Sequence, residues 1–167
     1  MTKTYTTENN HRADPGEVLR ILTNESFLIE REKAQGAIEA RVEELERSED
    51  ELRLRLHATE YGRTMTGGLD KSKREKSATE YTWDLKKMHG RWSYRGTHGN
   101  RINVSGSFQL SPHDSGTRVV SNYEVKVNIP VLGGKIEKMI IREIEKSSPI
   151  SAEVLTRFLS ASEKKPT

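Results

Sequence analysis

The sequence predicts an α+β domain: a curved antiparallel sheet of about seven strands gripping a long C-terminal amphipathic helix, with two short helices after the first strand. Three observations predict it. Apolar residues alternate in several separate runs, above all Leu52, Leu54 and Leu56, and later Val119, Tyr123, Val125 and Val127. Short turn-like links join most of these runs, as antiparallel neighbours require. After Pro130 the period changes from that of a strand to that of a helix, with Leu132, Ile136, Met139, Ile140 and Ile144 along one stripe. A one-faced sheet and an amphipathic helix each have an apolar side to cover, and packing one on the other covers both.

The elements follow in chain order. The opening KTYTT reads as a short strand that stops near Asn9 and Asn10. In ADPGEVLRILTNESFLIEREKA, Asp14 is a cap, Pro15 takes the favoured first helical position and Glu17 follows three residues after the cap. Val18, Leu19 and Leu22 form that helix's stripe; Asn24 restarts a second helix packed through Phe27 and Leu28. IEARVEELER reads as a strand entering a hairpin at Ser48, Glu49 and Asp50, and ELRLRLHA as a half-buried strand. The run over 62–77, with two adjacent glycines and DKSKREK, reads as a mobile excursion. Alternation resumes in TEYTWDL, GRWSYRG and RINVSGSFQL, where Gly106 permits a bend or a close approach on the concave side. SPHDSGTR is a turn before the last strand, and Pro149 is expected to kink or divide the final helix.

Composition sets limits on function. The chain has 167 residues, 32% hydrophobic and 32% charged, with a net charge of +3. That supports a single domain, expected over residues 1–160, with 161–167 as a disordered polar tail. The absence of cysteine excludes disulfides, thiol catalysis and thiolate metal sites. No run approaches the roughly 18 apolar residues of a membrane span, and no apolar export segment follows the first lysine. A cytoplasmic protein without stable membrane insertion is therefore expected. His11, His57, His89, His98 and His113 are scattered without metal-ligand spacing, so no metal or other cofactor is expected.

The stretch YEVKVNIPVLGGKIEKMI, with G-S-F-Q-L and S-G-T-R before it, resembles the DUF2505 family of uncharacterised bacterial proteins, a branch of the START-like or SRPBCC superfamily. Ile129, Pro130, Gly133, Gly134, Lys135, Ile136 and Glu137 carry the resemblance, and DPGEVLRILTNESFL is similar to the family's early helical segment. The resemblance implies the helix-grip (START-like, Bet v 1-like) fold and a cavity under the last helix. That superfamily contains lipid and sterol carriers, hormone receptors, polyketide cyclases and ring hydroxylase subunits. The DKSKREK run and Pro149 depart from the pattern.

Tyr81, Trp83, Trp92, Tyr94, Phe108 and Tyr123 combine apolar bodies with polar handles, as suits either a core or a cavity wall. Ile136, Met139, Ile140 and Glu143 are the facing candidates on the helix. Lys135 and Glu137 read as exposed first-turn residues, the latter favoured by the helix dipole. No catalytic residue is assigned: there is no G-x-S-x-G elbow, and pairing His89 or His98 with Glu80 or Asp84 depends on cross-strand geometry.

The basic stretch KKMHGRWSYRGTHGNR would put Arg91 and Arg95 on one face and Trp92 and Tyr94 on the other. That separation suits a solvated rim better than nucleic-acid stacking. Residues 24–51 are acidic by contrast, with ten acidic against four basic residues. The leading expectation is non-catalytic binding or transport of a hydrophobic small molecule, whether lipid, aromatic or polyketide-like. The alternatives are a polyketide cyclase-like enzyme using the same cavity, and an interaction domain with a filled core. Monomer and homodimer stay equally open.

Overall fold

A computed structural model describes residues 2–64 and 66–163. The chain runs β1 (Thr2–His11), α1 (Pro15–Leu22), α2 (Glu25–Ala34), β2 (Glu39–Arg47), β3 (Glu51–Arg63), β4 (Leu69–Asp84), β5 (His89–Arg95), β6 (Ile102–His113), β7 (Gly116–Val127) and α3 (Gly133–Glu163). The helix starts form as the sequence dictates. Asp14 Oδ1 accepts the Glu17 N–H at 3.0 Å and Asn24 Oδ1 accepts the Phe27 N–H at 3.1 Å, satisfying donors that the first turn leaves free.

The strands form one seven-stranded sheet in the order β1-β7-β6-β5-β4-β3-β2, with every neighbouring pair antiparallel. β1 and β2 therefore lie on opposite edges, and α1 with α2 carries the chain from one edge to the other. α3 packs against α1, α2, β1 and β7.

Three elements differ from the sequence expectation. β1 continues to His11 because β7 pairs with it throughout, Asn9 facing Val119 and His11 facing Thr117. The run over 62–77 is a strand hairpin: the Thr64 N–H donates to Gly68 O at 2.8 Å, and DKSKREK lies in β4. Ladder bonds to β3, not apolar alternation, hold this arm. Its register shifts where Tyr61 faces Arg74 and Gly62 faces Asp70. Finally, of the two outcomes expected at Pro149, division does not occur: α3 is one helix with Pro149 inside it. Proline removes one N–H from the helix ladder, and Gln35 Nε2, at the C-cap of α2, donates at 3.3 Å to Ser147 O two residues before it. Residues 161–163 are helical too, while 164–167 of the expected tail lie outside the described residues.

The core fills one end of the concave face. Val18, Ile21, Phe27 and Leu28 from the short helices meet Leu52, Leu54, Trp83, Leu110 and Val119 from the sheet and Val154, Leu155 and Leu159 from α3. Each such large side chain contributes about 1.5–3 kcal/mol on burial. The buried apolar residues of α3 all follow Pro149. Its earlier half spans a space.

Candidate functional site

That space is a cavity of about 990 Å³ between the concave sheet face and α3. Leu22, Leu56, Val119 and Leu155 wall its inner end, where the core begins. Thr64, Thr66, His98, Leu132 and Lys135 stand at the solvent-exposed outer end. There Glu143 of α3 meets Arg63 of β3 at 3.4 Å, clasping the hairpin arm to the helix.

Strand alternation delivers the aromatic wall. Tyr81, Trp92, Tyr94, Phe108 and Tyr123 line the cavity from the sheet, and Ile136, Met139, Ile140 and Glu143 line it from α3. Trp92 meets Tyr123 edge to face, with ring centroids 5.7 Å apart. Gly106, opposite Trp92 in the ladder, makes room for that indole: a Cβ there would lie 2.6 Å from Trp92 and 2.2 Å from the Asn122 carbonyl.

Trp83 departs from the expectation and does not line the cavity. Two residues beyond Tyr81 on β4, it falls within the packed end, 1% exposed and stacked on Phe108 at 5.8 Å. Gly90 faces it across the ladder, and any side chain at Gly90 would meet the indole at 2.8 Å.

Sequence reasoning missed Arg31. This arginine is 6% exposed, lines the cavity, and donates from Nη2 to the Tyr81 hydroxyl at 2.6 Å. Its guanidinium carbon lies 5.6 Å from the Phe27 ring centre and 5.7 Å from that of Tyr81. Its position gives the signal: Arg31 comes four residues after Phe27 and three after Leu28, on the buried face of α2.

Glu137 corrects another reading. It is not an exposed first-turn residue but 0% exposed, its Oε2 accepting the Val127 N–H at 3.0 Å. This bond ties the start of α3 to the end of β7, where Gly133 also approaches Val127 O too closely to carry a side chain. Lys135 is exposed, as expected.

The ionisable groups of the cavity are tuned by burial. Desolvation pushes the Tyr94 phenol up to about 12, with the charge of Glu60 adding to it. Burial also raises the Tyr81 and Tyr123 phenols and lowers His11, so all four are neutral at pH 7. Desolvation raises the Glu60 carboxyl, and Glu32 raises it further.

Neither acid–base pairing considered from the sequence forms in the cavity. Glu80 is held by Arg55, with which it lines a separate convex-face depression, and His89 and Asp84 face each other on that same convex side. Lys86, Lys87, Arg91, Arg95 and Arg101 are exposed, while Trp92 and Tyr94 turn to the cavity. Among the described residues no cluster of His, Asp and Glu is arranged to hold a metal ion, and no helix is long and apolar enough to cross a membrane.

The family described as Protein of unknown function (DUF2505) matches residues 5–159. The chain belongs to the DUF2505 family. Solved structures agree on the architecture of this DUF2505 protein. TTHA0849 from Thermus thermophilus is 20% identical with a TM-score of 0.66, the match covering 96% of this chain and 99% of that one. The Zhui aromatase/cyclase from Streptomyces sp. R1128 is 13% identical at 0.65, covering 96% and 94%. A START superfamily protein from Mycobacterium smegmatis is 15% identical at 0.53, covering 96% and 97%. Likeness at these identities establishes the fold: a helix-grip, START-like domain. Among curated proteins no sequence match is found.

Proposed function

We propose that this protein binds a hydrophobic small molecule in the cavity under α3 and carries it through the cytoplasm without covalent change, residues 1–160 acting as one binding unit. The observation that carries this reading is the unfilled space of about 990 Å³, walled by Trp92, Tyr94, Tyr123, Val104, Ile136 and Ile140 and open at one end. Removing a guest's apolar surface from water contributes about 25 cal/mol per Å² before ordering costs. The tyrosine hydroxyls and Arg31 supply the few polar contacts that set orientation. Carriage is favoured over conversion because, among the described residues, Tyr81, Tyr94, Tyr123 and His11 make no hydrogen bond to a carboxylate that could exchange a proton with them, Tyr81 being held by Arg31 instead.

Native mass spectrometry after gentle purification tests the reading. The expected result is a protein ion carrying an apolar small molecule, released on unfolding and identified by fragmentation. Copurification of nothing, together with failure of a hydrophobic fluorescent probe such as anilinonaphthalene sulfonate to find a displaceable site, would overturn it. Chemical alteration of the guest on incubation would turn the assignment to an enzyme.

A further inference from the structure

We propose that Arg31 and Tyr81 anchor the acidic head of the guest at the inner end of the cavity, so that the ligand is an apolar molecule ending in a carboxylate; this rests on the binding reading above. A guanidinium keeps its charge at any ordinary pH and carries five N–H donors in one plane. Moving it out of water is costly unless it is both paired and hydrogen-bonded. In this fold Arg31 is 6% exposed, yet among the described residues it makes one side-chain hydrogen bond, from Nη2 to the neutral Tyr81 hydroxyl. The Glu32 carboxylate stands 3.5 Å from that same nitrogen, longer than a charge-assisted bond. Phe27 and Tyr81 cover the guanidinium with ring faces and supply no acceptor for the donors on Nε and Nη1.

Among the described residues the Nε and Nη1 donors of Arg31 make no hydrogen bond. Arg31 belongs to the cavity wall, so a guest can reach it. Glu32 pairs with the guanidinium on its Nη2 side; for the remaining donors a neutral hydroxyl or carbonyl would accept one bond, whereas a carboxylate presents two coplanar oxygens with the spacing of the guanidinium fork. The other acids of the cavity set the orientation. Glu60 and Glu75 face each other across the β3–β4 ladder, and Glu75 is six residues from Tyr81 along β4, a separation of about 20 Å. An anionic head is therefore disfavoured between Glu60 and Glu75; at Arg31, where Glu32 also lines the cavity beside Nη2, it is received on the Nε and Nη1 edge, with the apolar body lying along Trp92, Tyr123, Ile136 and Ile140.

Two matched pairs of probes test the anchor by isothermal titration calorimetry on the full chain: oleate against oleyl alcohol, and pyrenebutanoate against pyrenebutanol. In at least one pair, the acid is expected to bind at least about tenfold more tightly than its alcohol, equivalent to about 1.4 kcal/mol. Arg31→Met is expected to abolish that preference by weakening the acid alone, and Arg31→Lys to keep part of it. Should Arg31→Met fail to fold, the acid-to-alcohol ratio of the unaltered protein and its reduction in Tyr81→Phe decide the matter. Equal binding of acid and alcohol in every pair that binds, or a preference that survives Arg31→Met, would overturn the anchor while leaving the cavity a binding site. Binding of none of the four probes would remove the binding reading and the anchor with it.

Discussion

Glu60 stands in the cavity wall directly across the β3–β4 ladder from Glu75. Like charges so placed destabilise a sheet by up to about 1 kcal/mol, and here desolvation, then Glu32, raises the Glu60 pKa above its ordinary 4.5. A carboxyl whose folded pKa is raised costs the fold nothing while protonated. Its penalty grows as pH climbs through the unfolded value and is complete above the folded one. Glu60→Gln is therefore expected to raise the melting temperature at pH 7 by about 2–4 °C, the shift that about 1 kcal/mol produces in a domain of this size. At pH 3, where the Glu60 carboxyl is protonated, the two proteins are expected to melt alike in a calorimetric scan. An equal gain at both pH values would mean that charge is not the cause. At this scale the sequence was legible for the aromatics, whose alternation placed Tyr81, Trp92 and Tyr123 on the cavity face. It was less legible for Trp83, because alternation assigns a face and not a position along the strand. Arg31 and Glu137 were hidden by residue type: charged side chains read as exposed, although both occupy positions in a buried stripe.

Pro149 shows how a strong local rule yields to packing. The sequence rule that proline divides a helix failed here because residues on both sides are held to the same body: Ile140 and Ile144 over the cavity, Val154, Leu155 and Leu159 in the core. The cost remains in the ladder, where Pro149 leaves the carbonyl one turn back without its usual donor. Pro149 is exposed and contributes nothing to the core. Pro149→Ala is expected to restore the missing bond and stabilise the protein by about 1–3 kcal/mol, read as an upward shift of the thermal midpoint. A lower midpoint would show that the fold depends on the backbone restriction proline imposes. The hairpin arm of β3 and β4 was misread for the opposite reason. DKSKREK carries no apolar alternation, so the sequence held no trace of the backbone pairing that makes it a strand. Helix caps at Asp14 and Asn24 and the leucine strand were legible because their signals are local.

The whole molecule divides along α3 into an anchor and a roof. Beyond Pro149, Val154, Leu155 and Leu159 are 1%, 5% and 6% exposed and lock the helix into the core. Before it, Ile136, Met139, Ile140 and Ile144 face the cavity, and the Glu137–Val127 bond and the Arg63–Glu143 pair hold the near end. A cavity is the difference between two packed surfaces, which is why strand and helix periods revealed both surfaces and not the gap. Local opening follows the density of buried contacts, so the roof is expected to open at a lower free energy than the anchor. In hydrogen exchange, amides over 136–147 are expected to exchange at least about tenfold faster than those over 152–159, a difference of about 1.4 kcal/mol in opening. A guest that binds the folded state stabilises it by about 2.7 kcal/mol at a hundred times its dissociation constant. Because that guest supplies the contacts the roof lacks, its protection is expected to fall mainly on 136–147. Uniform exchange along α3, or protection spread evenly over both halves, would mean that the helix moves as one rod and that entry proceeds through the hairpin arm instead.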